Sequence, residues 1–185
     1  MTVPVFEDRP ETARGRMLFE SLLAVHHLIR RDLSTVERLA AAVADGLPAD
    51  GVQEELEALK SNGMLWQFQV SCLRYCGFVH MHHNAEDRIF FDELEETNPA
   101  ITPVVERLKA EHRAVSGYLD DVEAAARALS EDESHDARRA VAEALEVLER
   151  HLLAHLEYEE LNIAGTARRL RDVPSSIVMG SEEPH

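Results

Sequence analysis

The sequence predicts an all-α fold, an up-down-up-down four-helix bundle. Three observations carry this expectation. Apolar residues recur at alternating spacings of three and four along four long stretches, the mark of helices with one buried face. Glycine and proline are few and fall mostly between those stretches. The composition is rich in Ala, Leu, Glu and Arg, which favour helix. With 185 residues, 45% of them hydrophobic, the chain is long enough for one domain with a sizeable core.

Residues 1 to about 11 read as an irregular lead-in ending at Pro10. Thr12 can cap a first helix over about 13–44, with the stripe Leu18, Leu22, His26, Ile29, Leu33, Val36. His26 stands where a core residue belongs, while His27 is rotated by about 100° toward a flank. Asp45-Gly46-Leu47-Pro48 stops this helix. Asp50 and Gln53 form a capping-box pattern, and Val52, Leu56 and Leu59 follow it. A short extra helix is expected there, ending near Ser61-Asn62-Gly63.

The second long helix is expected over about 64–97, until Asn98-Pro99 ends it. Its first residues, Met64-Leu65-Trp66-Gln67-Phe68, supply bulky apolar groups to one end of the core. Its stripe reads Phe68, Cys72, Tyr75, Val79, His82, Glu86, Ile89. Thr102-Pro103 places a cap before a proline at the first helical position and opens a third helix running to about Leu129. The third stripe is Val105, Leu108, His112, Val115, Leu119, Val122, Ala126, with His112 its one polar member. Ser130 to Asp136 is a charged turn in which His135 faces solvent. The fourth helix starts near Ser134 and runs past Leu161, with the stripe Val141, Leu145, Leu148, Leu152, His155, Glu159. Arg168, Arg169 and Arg171 suit the negative pole at its end. The bundle therefore spans about 13–165, and residues 172–185 form a C-terminal tail.

The formal charge of −16 offers no basic field for nucleic acid and none for an anionic membrane surface. No stretch is apolar enough to span a bilayer, and the first residues lack the basic and apolar regions of a signal peptide. The cytoplasm is the expected location. Cys72 and Cys76 lie four apart on one helix, which fits small core residues better than a Cys-x-x-Cys redox turn.

The order along the chain is thus His, His-x-x-x-Glu, His, His-x-x-x-Glu, one group per long helix. It forms a weak repeat of two helical hairpins. One such pair is compatible with a buried hydrogen bond between imidazole and carboxylate. Four helices that each interrupt a core stripe with a metal-ligand residue type, and with no other polar type, point to a cation. Burying these groups unpaired would cost several kcal/mol per charge. The six residues His26, His82, Glu86, His112, His155 and Glu159 are too many for one tetrahedral zinc and suit two metal ions, with the glutamates bridging. Mixed imidazole and carboxylate ligation favours iron or manganese, although affinity alone does not exclude zinc.

This pattern resembles the hemerythrin-like, or HHE cation-binding, family. His26-His27-Leu28-Ile29-Arg30 resembles its first-helix segment, and His82-His83-Asn84-Ala85-Glu86-Asp87 its second-helix motif. His112 falls in Glu111-His112-Arg113 where the third-helix ligand is expected. His155-Leu156-Glu157-Tyr158-Glu159-Glu160 resembles the fourth-helix motif. The resemblance implies a non-haem site of two iron ions, oxo- or hydroxo-bridged, that meets dioxygen, peroxide or nitric oxide.

The chain departs from the family's oxygen carriers twice. Their second third-helix histidine is here Ser116, and their fourth-helix His-x-x-x-x-Asp is here His-x-x-x-Glu, with Glu160 at the longer spacing. The first departure removes an imidazole and favours chemistry at an open position over reversible oxygen carriage. His151, one turn before His155, is a candidate donor to a glutamate of the site or a seventh ligand. Tyr75 could line a channel, while His80 and His83 are expected on flanks. The expected function is redox chemistry, peroxidase- or catalase-like or nitric-oxide-consuming. The alternatives are an oxygen or iron sensor or carrier acting through a protein partner, and a metal-free or zinc-filled structural bundle.

Overall fold

The computed structural model describes residues 9–44, 52–132 and 134–171, and the side chains of 42–67 are not described. The Asp45–Pro48 stop, the Asp50 cap, the apolar side chains of 52–67, most of the lead-in and the 172–185 tail lie outside these limits. All regular structure among the described residues is helical. The elements are α1 (Ala13–Ala44), α2 (Val52–Ala85), a π-helical turn (Glu86–Phe90), α3 (Phe91–Thr97), a 3₁₀ turn (Pro99–Ile101), α4 (Thr102–Glu131) and α5 (His135–Ala167). Taken with the π-turn and α3, α2 is the second of four long helices, so the all-α four-helix class is the one predicted.

Three local expectations change. The short helix after Val52 is not separate, because α2 runs without a break through Ser61-Asn62-Gly63 to Ala85. A glycine inside a helix costs only about 1 kcal/mol, less than re-nucleating a helix on its far side. Thr102 is already helical, and Asn98 does the capping: its backbone is extended (φ −143°, ψ 88°) and its side-chain oxygen accepts from the Ala100 N–H. The third change is the π-turn. The Phe91 N–H bonds to the Glu86 carbonyl, five residues back, which widens this turn beyond the 3.6 residues of an α-helix. Residues four apart then line up along the helix. Ile89, expected in the buried stripe, is 42% exposed, and Phe90, Phe91 and Leu94 are buried instead.

The chain divides into two compact units. One comprises residues up to Leu28, His80–Arg113 and those from Leu153 on; the other comprises Ile29–Val79 and Ala114–Leu152. In the first, Leu18, Phe19, Leu22, Phe90, Phe91, Leu94, Ile101, Val105, Leu108 and Ile163 form one buried cluster. In the second, Ile29, Leu33, Val36, Phe68, Val79, Leu119, Val122, Leu148 and Leu152 are buried. There Cys72 and Cys76 are free and buried, as core residues.

In the first unit the start of α1 is tied to the end of α5. The Thr12 hydroxyl accepts from the Gly15 N–H at 2.8 Å, as the expected cap, and donates to the Leu170 carbonyl at 2.6 Å. The Thr12 N–H donates to the Arg168 carbonyl at 2.9 Å. This approach requires Gly15, because a Cβ there would overlap the backbone carbonyl of Arg168. Backbone on that side cannot swing away as a side-chain tip would. Gly15→Ala should therefore destabilise the fold by about 1–3 kcal/mol despite alanine's better helix propensity. Denaturant unfolding reads this directly, and a more stable variant would refute the close packing.

Candidate metal centre

The first unit collects the polar residues that interrupt the apolar stripes. His26 comes from α1, His82 and His83 from the last turn of α2, Glu86 and Asp87 from the π-turn, Glu111 and His112 from α4, and His155, Glu159 and Glu160 from α5. His26, Glu86, His112, His155 and Glu159 are buried, and the His82 side chain is only 9% exposed. All six residues expected as ligands are thus together.

Glu86 stands between two groups of imidazoles. Its Oε1 lies 3.2 Å from His82 Nε2 and 3.8 Å from His26 Nε2. Its Oε2 lies 3.6 Å from His112 Nε2. One oxygen therefore faces each group. Glu159 Oε2 is 3.4 Å from His26 Nε2 and 3.7 Å from His155 Nε2. Three sets of side chains have ligand atoms close enough to share one ion: His26, His82 and Glu86; Glu86, His112 and Glu159; and His83, His112 and His155.

Three of the imidazoles are held from behind. His26 Nδ1 donates to Glu160 at 2.9 Å, His112 Nδ1 to Asp87 at 2.8 Å, and His155 Nδ1 to Glu111 at 3.1 Å. A carboxylate only accepts, so each Nδ1 carries the proton and each Nε2 is left with a lone pair. Carboxylates behind histidines in this way fix ring and tautomer at metal sites. Glu111 is itself held by Arg107 Nε at 2.7 Å, and the Arg107 guanidinium lies 3.5 Å over the Tyr158 ring.

Most of the inward atoms lack hydrogen bonds. Nε2 of His26, His82 and His83 and both oxygens of Glu86 and of Glu159 are buried without a hydrogen bond. His112 Nε2 and His155 Nε2 face each other at 3.1 Å. With both Nδ1 atoms protonated, two lone pairs meet there and repel unless a proton or a cation joins them. Two nitrogens each about 2.1 Å from one ion, at a right angle, are about 3 Å apart. The donor set therefore fits a cation.

The electrostatics agree. Burial pushes Glu86 well above the usual carboxylate range, and Glu159 and Asp87 beside it add to the rise. Burial, then Glu160, raises Glu159 to about 8. Burial holds His82 and His83 well below the ordinary imidazole value, with the neighbouring imidazoles adding to the fall. Burial and His112 lower His155 to about 4, against the opposing pull of Glu111. Without a cation, burial thus disfavours the charged forms of Glu86, Glu159, His82, His83 and His155. A cation reverses the preference for the two carboxylates and suits the neutral form that burial favours at His82, His83 and His155.

The secondary expectations fare unevenly. Glu160 is at the site, behind His26. Tyr75, Ser116 and His151 belong to the other unit. His151 is not a donor to this cluster: it is exposed, and its ring stacks on Tyr118 at 4.5 Å. Tyr75 is buried with its hydroxyl unpartnered, and Ser116 is half-buried. His83 is the reverse case. Expected on a flank, it is 4% exposed and stacks on His112, centroids 4.0 Å apart and planes 8° apart. His112 meets Phe91 at 5.4 Å as well, so His83, Asp87 and Phe91, successive turns of one helix face, all hold it. Asp87 and Glu111 were also missed as positioning groups. The available signal was an acid directly beside three of the six candidate ligands: Glu86-Asp87, Glu111-His112, Glu159-Glu160.

A bundle that buries imidazoles and carboxylates from all four long helices in one cluster belongs to the class of helical cation-binding proteins. More narrowly, the chain belongs to the hemerythrin family: the hemerythrin HHE cation binding domain matches residues 67–167. That span contains His82, Glu86, His112, His155 and Glu159, while His26 precedes it and joins them through the fold. No curated protein and no solved structure matches the chain.

Proposed function

We propose that the protein is a non-haem di-iron protein that reacts with dioxygen, peroxide or nitric oxide. The observation that carries this reading is the position of Glu86, one oxygen toward His26 and His82 and the other toward His112. A carboxylate so placed can join two cations, each with its own imidazoles. His26 and His82 would hold one ion, His112 and His155 the other, and Glu86 and Glu159 would serve both. Hard carboxylates with imidazoles favour iron over softer-ligand metals. Such a pair of ions, when bound, supplies reversible electron transfer and Lewis acidity.

The chain itself supplies orientation and access. Glu160, Asp87 and Glu111 hold three imidazoles with Nε2 inward. An apolar pocket lined by Leu18, Leu22, Val25, Ala85 and Phe90 reaches His82 and Glu86. Apart from His82 and Glu86 its walls are apolar, which supports a small neutral substrate. Turnover in place of carriage rests on Ser116, where the family's oxygen carriers have a histidine.

Iron-supplemented protein purified without oxygen should hold two irons per chain and consume peroxide or nitric oxide faster than free iron. Val25→Trp, which fills the half-buried mouth of the pocket, should slow this about tenfold or more while leaving the iron count at two. Zinc in place of iron, or turnover no faster than that of the free ion, would refute the redox reading.

A further inference from the structure

We propose that His83 is a metal ligand, the third imidazole of the ion held by His112 and His155. The inference rests on the two-cation reading and extends it to a residue outside the six-residue motif. Ser116 leaves α4 with one histidine in this region, so the repeat gives each side of the site two imidazoles. One side has His26 and His82, and the other has His112 and His155, with no fifth imidazole in the repeat.

The structure offers one from an unexpected helix face. The ligand nitrogens of His83, His112 and His155 all lie within 4.8 Å of one another, and all three residues are buried. The His83 ring meets His155 edge-on at 5.2 Å, as it stacks on His112. Its Nε2 is buried without a hydrogen-bond partner. A histidine used only for packing gains nothing from that nitrogen. Phenylalanine would give the same stacking without a buried polar atom, which costs about 1–3 kcal/mol when unsatisfied. Placing the two donors His82 and His83 next to each other also has a geometric logic. Neighbours on a helix point about 100° apart. One α2 turn can therefore serve both ions, with Glu86 between them.

The test separates ligation from packing by His83→Phe, which keeps an aromatic ring against His112 and removes the nitrogen. Metal-free protein is titrated anaerobically with ferrous iron, and bound iron is counted by elemental analysis. Wild type is expected to take two irons, and H83F one. Metal-free H83F should melt at or above the wild-type temperature, because a buried unpaired group is gone. His82→Ala is expected to lose the other ion and keep the one at His112. Two irons in H83F, with affinity unchanged, overturn the role of His83 and leave the two-cation reading standing. Fewer than two in wild type overturns both. His83→Gln guards against misfolding: if neither variant folds without metal, His83 is structural and the proposal falls.

Discussion

Stripping the metal should lower the melting temperature by about 10 °C or more. Occupancy at about a thousand times the dissociation constant stabilises by about 4 kcal/mol per site, and 1 kcal/mol moves the midpoint of a chain this size by about 2–4 °C. The direction follows from the cluster. Seven atoms on His26, His82, His83, Glu86 and Glu159 are buried without a hydrogen bond, so the folded metal-free state carries much of their desolvation cost. Thermal scans with and without a chelator, on iron-loaded protein, give the answer. Coincident scans would mean that protons and hydrogen bonds alone satisfy this core, and the structural-bundle reading would return. Glu86→Ala should also shrink the difference between the scans, because it takes away a carboxylate that faces both groups of imidazoles.

The second large effect is on pH, and its sign depends on the metal. In metal-free protein, Glu159 keeps its proton up to about 8 and Glu86 is raised well above its ordinary value, whereas the unfolded chain releases both near 4.5. Their stabilisation is complete below pH 4.5 and is lost as pH rises through the folded values. His155, lowered to about 4, and His82 and His83, lowered as well, act oppositely. Their contribution is present above 6.5 and is lost as pH falls toward the folded values. Between 6.5 and 8 the carboxylates dominate, and stability falls with rising pH. Between 4.5 and 6.5 three imidazoles outweigh two carboxylates, and stability rises with pH. The metal-free protein should therefore be most stable near about pH 6.5. Loaded protein has ionised carboxylates and neutral imidazoles, so its melting temperature should stay level from 6.5 to 8 and fall only below. Parallel profiles for the two forms would contradict the proton occupancy argued here.

The expected stripes of the first, third and fourth long helices are buried residue for residue, from Leu18 to Val36, Val105 to Ala126 and Val141 to Glu159. Periodicity sufficed there because those helices are regular. It failed where the helix is not: Ile89 was placed by an α-helical period across a turn that is π-helical. Nothing local marks Glu86–Phe90 as such a turn, since its wider winding is stabilised by what Phe90, Phe91 and Leu94 pack against. Likewise Gly63 read as a stop because its cost was visible and the cooperativity of a long helix was not.

The six candidate ligands were legible because a polar residue inside an apolar stripe stands out. His83, Asp87 and Glu111 were not, for the opposite reason. On a flank a polar residue is ordinary, and only the neighbouring helix reveals that the flank is covered. Adjacent acids acquire a role when an imidazole on another helix arrives at them: Asp87 at His112, Glu111 at His155, Glu160 at His26.

The π-turn has a mechanical consequence. A regular α-helix is torsionally stiff, and any twist applied at Glu86 would be handed on to Phe91 and Leu94, whose packing tolerates little movement. The π-turn begins at Glu86 itself and ends just before Phe91. Its wider winding breaks the regular α-helical bonding at that point. When cations draw the Glu86 carboxylate toward them, the rotation can be absorbed within these five residues. The apolar end of the unit can then stay fixed while the carboxylate that faces both groups of imidazoles adjusts.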